Sequence, residues 1–134
     1  MSDKATDEVT KFYFAFEQVV SKRQTGSFKV VKHSLWEPPT NVYETEEGLL
    51  IRVEIAGMRE SKFEITLMED VLVIGGVRPR PEFEKPITAI HQIEIPYGEF
   101  RTAVSLPFPV IAEKAQARYR DGFLDIELPR AEEI

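Results

Sequence analysis

Cysteine is absent from all 134 residues. Disulfides, thiolate nucleophiles and cysteine-based metal sites are thereby excluded. Histidine is scarce, with only His33 and His91 present. Neither belongs to an H-E-x-x-H or a comparable ligand spacing, so neither a metal nor imidazole catalysis is expected. No serine stands in a G-x-S-x-G turn. Gly75-Gly76 fits neither a P-loop nor a G-x-G-x-x-G, so no nucleotide site and no cofactor are expected. Long apolar runs are missing too: nothing approaches the ~18 residues of a membrane span. The opening residues Met1–Glu8 carry no signal-peptide hydrophobic region. Together these absences point to the cytoplasm.

Positive charge is in short supply. Lys and Arg number 17 against 23 Asp and Glu, for a net charge of −6. The imbalance is uneven. Residues 1–35 hold six basic and four acidic side chains, and the remainder holds eleven and nineteen. An acidic domain repels phosphate backbones, so nucleic acid is not an expected partner. The carboxylates alternate with apolar residues as a solvated sheet face does, and no catalytic pair stands out. The chain therefore reads as a non-enzyme.

What is present is enough apolar content, 43%, for one domain with a modest core. Residues 4–23 have helical periodicity. Val9, Phe12, Tyr13, Phe16, Val19 and Val20 recur at 3.6-residue spacing, while Phe14 falls off that face. These aromatics either dock on the domain's own core or serve assembly and the capture of other proteins. Gln24-Thr25-Gly26-Ser27 is a loop signal. Phe28-Lys29-Val30-Val31-Lys32 is a short strand or an extended linker. Trp36-Glu37-Pro38-Pro39 forbids helix, which puts a boundary near residue 35. The resulting division is an arm over 1–35, a domain over 36–129 and a short tail over 130–134.

From residue 36 the pattern is all-β. Asn41–Thr45 is a short strand and Glu46-Glu47-Gly48 a turn. Leu49, Ile51, Val53 and Ile55 alternate with Leu50, Arg52 and Glu54. Phe63, Ile65 and Leu67 alternate with Glu64, Thr66 and Met68, and Glu69-Asp70 turns the chain. Val71–Ile74 is a continuous apolar run that predicts a strand buried on both faces and ended by Gly75-Gly76. Prolines 79, 81 and 86 predict an irregular excursion over 77–89. Ile90–Ile95 reads as a further short strand, Pro96-Tyr97-Gly98 as a turn, and Phe100–Leu106 as an alternating strand stopped by Pro107 and Pro109. Two last runs flank Asp121-Gly122, a two-residue hairpin signal. Ala115, Ala117 and Tyr119 precede it, and Leu124, Ile126 and Leu128 follow it on one face. Seven or eight short strands with no helix between them predict an immunoglobulin-like antiparallel β-sandwich with an N-terminal helical arm.

Five segments in order resemble the small heat-shock protein family and its α-crystallin domain. Trp36-Glu37-Pro38 followed by Val42-Tyr43-Glu44-Thr45 resembles the domain opening. Ile51–Gly57 resembles V-x-x-x-L-P-G, with Ala56 in place of the Pro. Val71–Gly76 resembles L-x-I-x-G-E, and His91–Phe100 resembles H-R-x-E-x-x-Y-G-x-F. Ala117–Pro129 resembles A-x-Y-x-N-G-V-L-x-I-x-L-P, with Asp121 and Phe123 replacing Asn and Val.

The resemblance implies a dimerising ATP-independent holdase. Its partners would be unfolding client proteins and further copies of the chain, as a homodimer or a larger oligomer. It implies that Ile90, His91, Gln92, Ile93, Glu94 and Ile95 form a strand exchanged between subunits, with Ile93 and Ile95 buried. It implies a docking groove between Phe63, Ile65 and Leu67 on one side and Ala115, Ala117 and Tyr119 on the other. Phe12, Tyr13, Phe14, Phe16, Val19 and Val20 would form the client-binding or assembly arm.

Two departures from the family pattern stand out. The family's arginine two residues after the Y-G-x-F phenylalanine aligns with Thr102, while Arg101 falls on the opposite face. Only Arg130–Ile134 follows Pro129, so Ile134 is a single anchor where the family has an I-x-I motif. Phe28-Lys29-Val30, with its apolar-x-apolar spacing, is a candidate to dock in the groove in place of that motif. The rival expectation is a dedicated interaction module serving one partner, as the CS-domain co-chaperones do on the same sandwich. Those lack the exchanged strand.

Overall fold

The structure is a computed structural model that describes residues 35–59 and 62–132. The expected helix over 4–23, its aromatic side chains, Phe28–Lys32 and Ile134 lie outside the described residues.

Among the described residues seven strands run in order: β1 Thr40–Glu44, β2 Gly48–Glu54, β3 Phe63–Met68, β4 Val71–Arg78, β5 Gly98–Ser105, β6 Gln116–Arg120 and β7 Phe123–Pro129. One 3-10 turn, Ala112–Lys114, precedes β6. The strands form two antiparallel sheets with orders β1-β2-β7-β6 and β3-β4-β5. This is the predicted sandwich.

Period-two alternation places the core. Leu49, Ile51 and Val53 of β2 stand opposite Leu128, Ile126 and Leu124 of β7, and all six are buried. The facing sheet contributes Phe63, Ile65, Leu72, Ile74, Phe100 and Val104, also buried. Each such side chain stabilises the fold by ~1.5–3 kcal/mol relative to exposure. Aromatic rings cross the interior in contact: Tyr119 lies 5.2 Å from Phe63, Phe63 lies 6.3 Å from Phe100, and Phe100 lies 5.6 Å from Trp36. The polar end of Tyr119 is used as well. Its hydroxyl donates to Ile55 O at 2.7 Å and accepts from Met58 N at 3.4 Å, which ties down the chain leaving β2.

The turns follow their residues. Asp121 and Gly122 have φ of 56° and 84°, the type I′ conformation whose twist suits a two-residue hairpin. Their strands close with Arg120 opposite Phe123. Ile55 N donates to Gly122 O at 2.8 Å, and a Cβ on Gly122 would stand 3.3 Å from the Ala56 Cβ. Glu69-Asp70 turns β3 into β4, with Glu69 at φ 53°.

Four expectations are corrected. Gly75-Gly76 does not end β4, which continues to Arg78. A Cβ on Gly76 would meet Phe100 Cζ at 2.8 Å and Lys62 O at 3.0 Å, so the residue is small because the core crowds it. Val71–Ile74 is the central strand of its sheet, but Val71 and Val73 are only half-buried, because the outer face of a three-stranded sheet is incompletely covered. The chain bends at Ile95 rather than turning over Pro96–Gly98, and it enters β5 at Gly98. Ile90–Ile95 forms no strand, since among the described residues no strand pairs with it.

The segment before β1 stitches the two sheets together. Trp36 N donates to Glu99 O at 3.2 Å, and Arg101 N donates to Trp36 O at 2.9 Å. Thr40 Oγ1 then meets Thr102 Oγ1 at 3.3 Å. Thr102 is buried and Arg101 takes the other face, as the alternation requires. We expect Gly76→Ala to destabilise the fold by about 1–3 kcal/mol, read as a lowered urea midpoint with an unchanged slope.

Candidate functional site: an open strand edge and an apolar excursion

Thr40 and Val42 of β1 stand opposite Val53 and Ile51 of β2, so they face inward. Val42 nevertheless leaves 45% of its surface in solvent. The cause is geometric: the opposing sheet has one strand fewer and does not reach over the end of β1. On the outer face Tyr43 and Leu50 form a cross-strand pair, and both are exposed. β1 is an end strand, and among the described residues its outer edge carries no ladder partner. Such an edge is a template for another strand.

The outer face beside this edge is ordered by charge. Arg52 donates to both carboxylate oxygens of Asp125, at 2.7 and 2.9 Å, and lies 4.9 Å from the centre of the Phe123 ring. The hydrogen bond to Asp125, and then its charge, raise the Arg52 pKa above its ordinary value. The pair is solvent-exposed, so it orients the face more than it stabilises the fold.

Between β4 and β5 the chain makes a long excursion over residues 79–97. The alternation in Ile90–Ile95 predicts a strand, but a strand needs a ladder partner, and among the described residues the segment has none. It is irregular and exposed. Phe83, Ile87, Ile90, Ile93 and Ile95 each leave 59–66% of their surface in solvent. The Gln92 amide donates to the Glu94 carboxylate, which puts positions 92 and 94 on one side. Five large apolar side chains on one excursion are thus left facing solvent.

The expected groove residues are distributed differently. Phe63, Ile65, Ala115 and Ala117 are buried in the core, while Leu67 and Tyr119 are half-buried. β3 and β6 are end strands of their respective sheets, brought together by the Phe63–Tyr119 contact. An accessible cleft of about 370 Å³ lies at the Leu67 end, lined by Leu67, Leu106, Phe108 and Val110 together with Glu69 and Asp70. Arg130 holds one wall. Its guanidinium sits 3.7 Å from the centre of the Phe108 ring and pairs with Glu44 at 3.0 Å. The arm residues Phe12, Tyr13, Phe14, Phe16, Val19 and Val20 lie outside the described residues.

Sequence reasoning passed over Val42, Phe83, Ile87 and Phe108. Phe83 and Ile87 carried a readable signal, since apolar side chains in a proline-rich excursion have no core to enter. Val42 and Phe108 carried none, because their exposure depends on the width of the facing sheet and on a long-range contact. Among the described residues no three His, Asp or Glu side chains cluster as a metal site would require. Nor is any described helix long and apolar enough to cross a membrane.

Comparison with known proteins identifies the architecture. The profile of the Hsp20/alpha crystallin family matches residues 41–134. The chain belongs to this family. Small heat shock protein C2 of Rickettsia felis is 30% identical over 96 residues, covering 72% of this chain and 62% of that protein's own length. The hspA structure from Xanthomonas axonopodis superposes with a TM-score of 0.62 at 26% identity, covering 71% of this chain and 94% of that one. A small heat-shock protein structure from Xylella fastidiosa gives a TM-score of 0.63 at 23% identity, covering 74% and 90%. The family match takes in Ile51–Gly57, Val71–Gly76, His91–Phe100 and Ala117–Pro129, and it begins after Trp36-Glu37-Pro38.

The excursion also makes a prediction about proteolysis. Arg78, Arg80 and Lys85 are each followed by proline, so trypsin has no good site there. Chymotrypsin should cut after the exposed Phe83 before it cuts within either sheet. Mass spectrometry of early fragments checks this.

Proposed function

We propose that this member of the Hsp20/alpha crystallin family is an ATP-independent holdase that works as a self-associated dimer or larger oligomer. The observation that carries the reading is the combination of a β1 edge with no ladder partner among the described residues, a half-exposed Val42 and five exposed apolar side chains on the 79–97 excursion. In this reading Ile90–Ile95 of one copy adds to β1 of another by strand augmentation. Ile93 and Ile95 then extend the inward face over Val42. The chain divides accordingly into the arm 1–35, the sandwich 36–129 and the tail 130–134.

Magnitudes favour a reciprocal exchange. Burying two isoleucines contributes about 3–6 kcal/mol, which reaches only the low end of the roughly 4–15 kcal/mol that association costs. A two-fold arrangement makes the contact twice for one association event. Added backbone hydrogen bonds supply the surplus. Client capture uses the same physics more weakly. Unfolding chains present apolar segments and unpaired strands, and an oligomer offers many shallow sites at once. The aromatic arm, with Phe12, Tyr13, Phe14, Phe16, Val19 and Val20, adds to that apolar surface, while the acidic domain keeps the loaded complex soluble.

Two experiments test these parts separately. The chain contains no cysteine, so each introduced thiol is unique. Mixing Val42→Cys with Ile93→Cys or Ile95→Cys and oxidising should give a disulfide-linked heterodimer, because opposed strand residues lie within bridging distance. A yield no higher than with an Arg118→Cys control would remove the exchange. For the holdase, the full chain should suppress the heat aggregation of several unrelated clients without ATP, and deletion of residues 1–26 should weaken that suppression. Activity on one stoichiometric partner alone would favour the dedicated interaction module.

A further inference from the structure

Arg78 is the last residue of β4, opposite Gly98 in the ladder. The ladder therefore already closes the neck of the excursion, and the Arg78 side chain has a separate task. Its Nε donates to Pro96 O at 3.0 Å, and Nη2 donates to the same carbonyl. Nη1 donates to Ala56 O at 3.3 Å. The guanidinium lies 4.4 Å from the Trp36 ring centre and 5.2 Å from that of Tyr97. One side chain thus gathers four segments: the end of β4, the return limb of the excursion, the chain leaving β2, and the chain entering β1.

The chemistry suits arginine specifically. Two donors converge on one carbonyl while a third reaches another, and the planar cation presents its faces to aromatic rings. Lysine has a compact point charge and no such face. The carbonyl that is held belongs to Pro96, directly after Ile95. The grip therefore falls on the root of the exposed 90–95 segment.

We propose that Arg78 is a positioning residue for self-association. It fixes the return limb of its own excursion against Trp36, in the orientation from which Ile93 and Ile95 reach β1 of a second copy. The inference rests on the strand-exchange reading given above. It adds a residue outside both contacting surfaces that sets the affinity by preorganisation: a limb already held in place has less freedom to lose on binding.

The test uses the full chain in five forms: wild type, Arg78→Ala, Arg78→Lys, Tyr97→Ser and the double variant Ile93→Asp/Ile95→Asp. Mass is followed against concentration by light scattering. Trp36 is the only tryptophan in the chain, so its emission reports the grip itself. Arg78→Ala should raise the concentration of half-dissociation at least tenfold and shift Trp36 emission even in dilute monomer. Arg78→Lys should recover association only in part. Ile93→Asp/Ile95→Asp should abolish association yet leave the monomer's Trp36 emission unchanged. Tyr97→Ser, which removes one ring beside the guanidinium, should move both readouts in the direction of Arg78→Ala by a smaller amount. It serves as the deciding variant if Arg78→Ala does not fold.

The failures are distinguishable. A wild-type mass profile for Arg78→Ala, with dissociation of the Asp variant, overturns the role of Arg78 and leaves strand exchange standing. A wild-type profile for the Asp variant overturns both. If Arg78→Ala does not fold and Tyr97→Ser matches wild type in both readouts, the role of Arg78 is likewise overturned.

Discussion

Three strands cannot cover four. The sheet β3-β4-β5 lies over β2, β7 and β6, where Leu49, Ile51, Leu124, Ile126 and Ala117 are sealed. At the β6 side the sheets meet through Phe63 and Tyr119. At the β1 side they meet where Thr40 reaches Thr102, and beyond that point Val42 projects inward with little above it. A sandwich of unequal layers has to leave one strand partly uncovered. In this chain that strand is also an end strand, and among the described residues its outer edge carries no ladder partner.

The same inequality gives the excursion its meaning. A chain that must cross from β4 to β5 needs only a hairpin, because the two strands are adjacent and antiparallel. Residues 79–97 are used instead, and their isoleucines stay in water. The open places on the molecule are also joined by contacts. Arg78 connects the root of the excursion to Trp36, which leads into β1. Arg130 connects Glu44, at the far end of β1, to Phe108 on the wall of the cleft. Neither arginine belongs to the core, yet each holds a surface element in a fixed relation to the sheets.

Much of the sandwich was legible in the sequence, because its strands state their faces locally. Leu49, Ile51, Val53 and Ile55 alternate without error, and so do Phe100, Thr102, Val104 and Leu106. Asp121-Gly122 names its own turn type. Ile90–Ile95 shows where such reading stops. Alternation says that a segment has two unlike faces, and says nothing about which chain supplies the neighbouring strand. Gly75-Gly76 misled for a related reason: a glycine pair signals a break when read locally, but Gly76 is set by the Phe100 ring, which arrives from 24 positions further along. Arg78 left no mark at all, since its partners Trp36, Ala56, Pro96 and Tyr97 converge only in three dimensions.

The hairpin at Asp121-Gly122 has a bearing on how this chain can diverge. Gly122 accepts the Ile55 hydrogen bond and leaves its missing side chain pointed at Ala56. Positions 56 and 122 therefore share one small volume although they lie far apart in the sequence. A larger residue at 56 leaves less room at 122, and the turn at 122 already favours glycine through its positive φ. The constraint runs one way: the Ala56 side chain and the positive φ together hold position 122 to glycine, whereas position 56 faces a residue without a side chain and can change while that glycine stays.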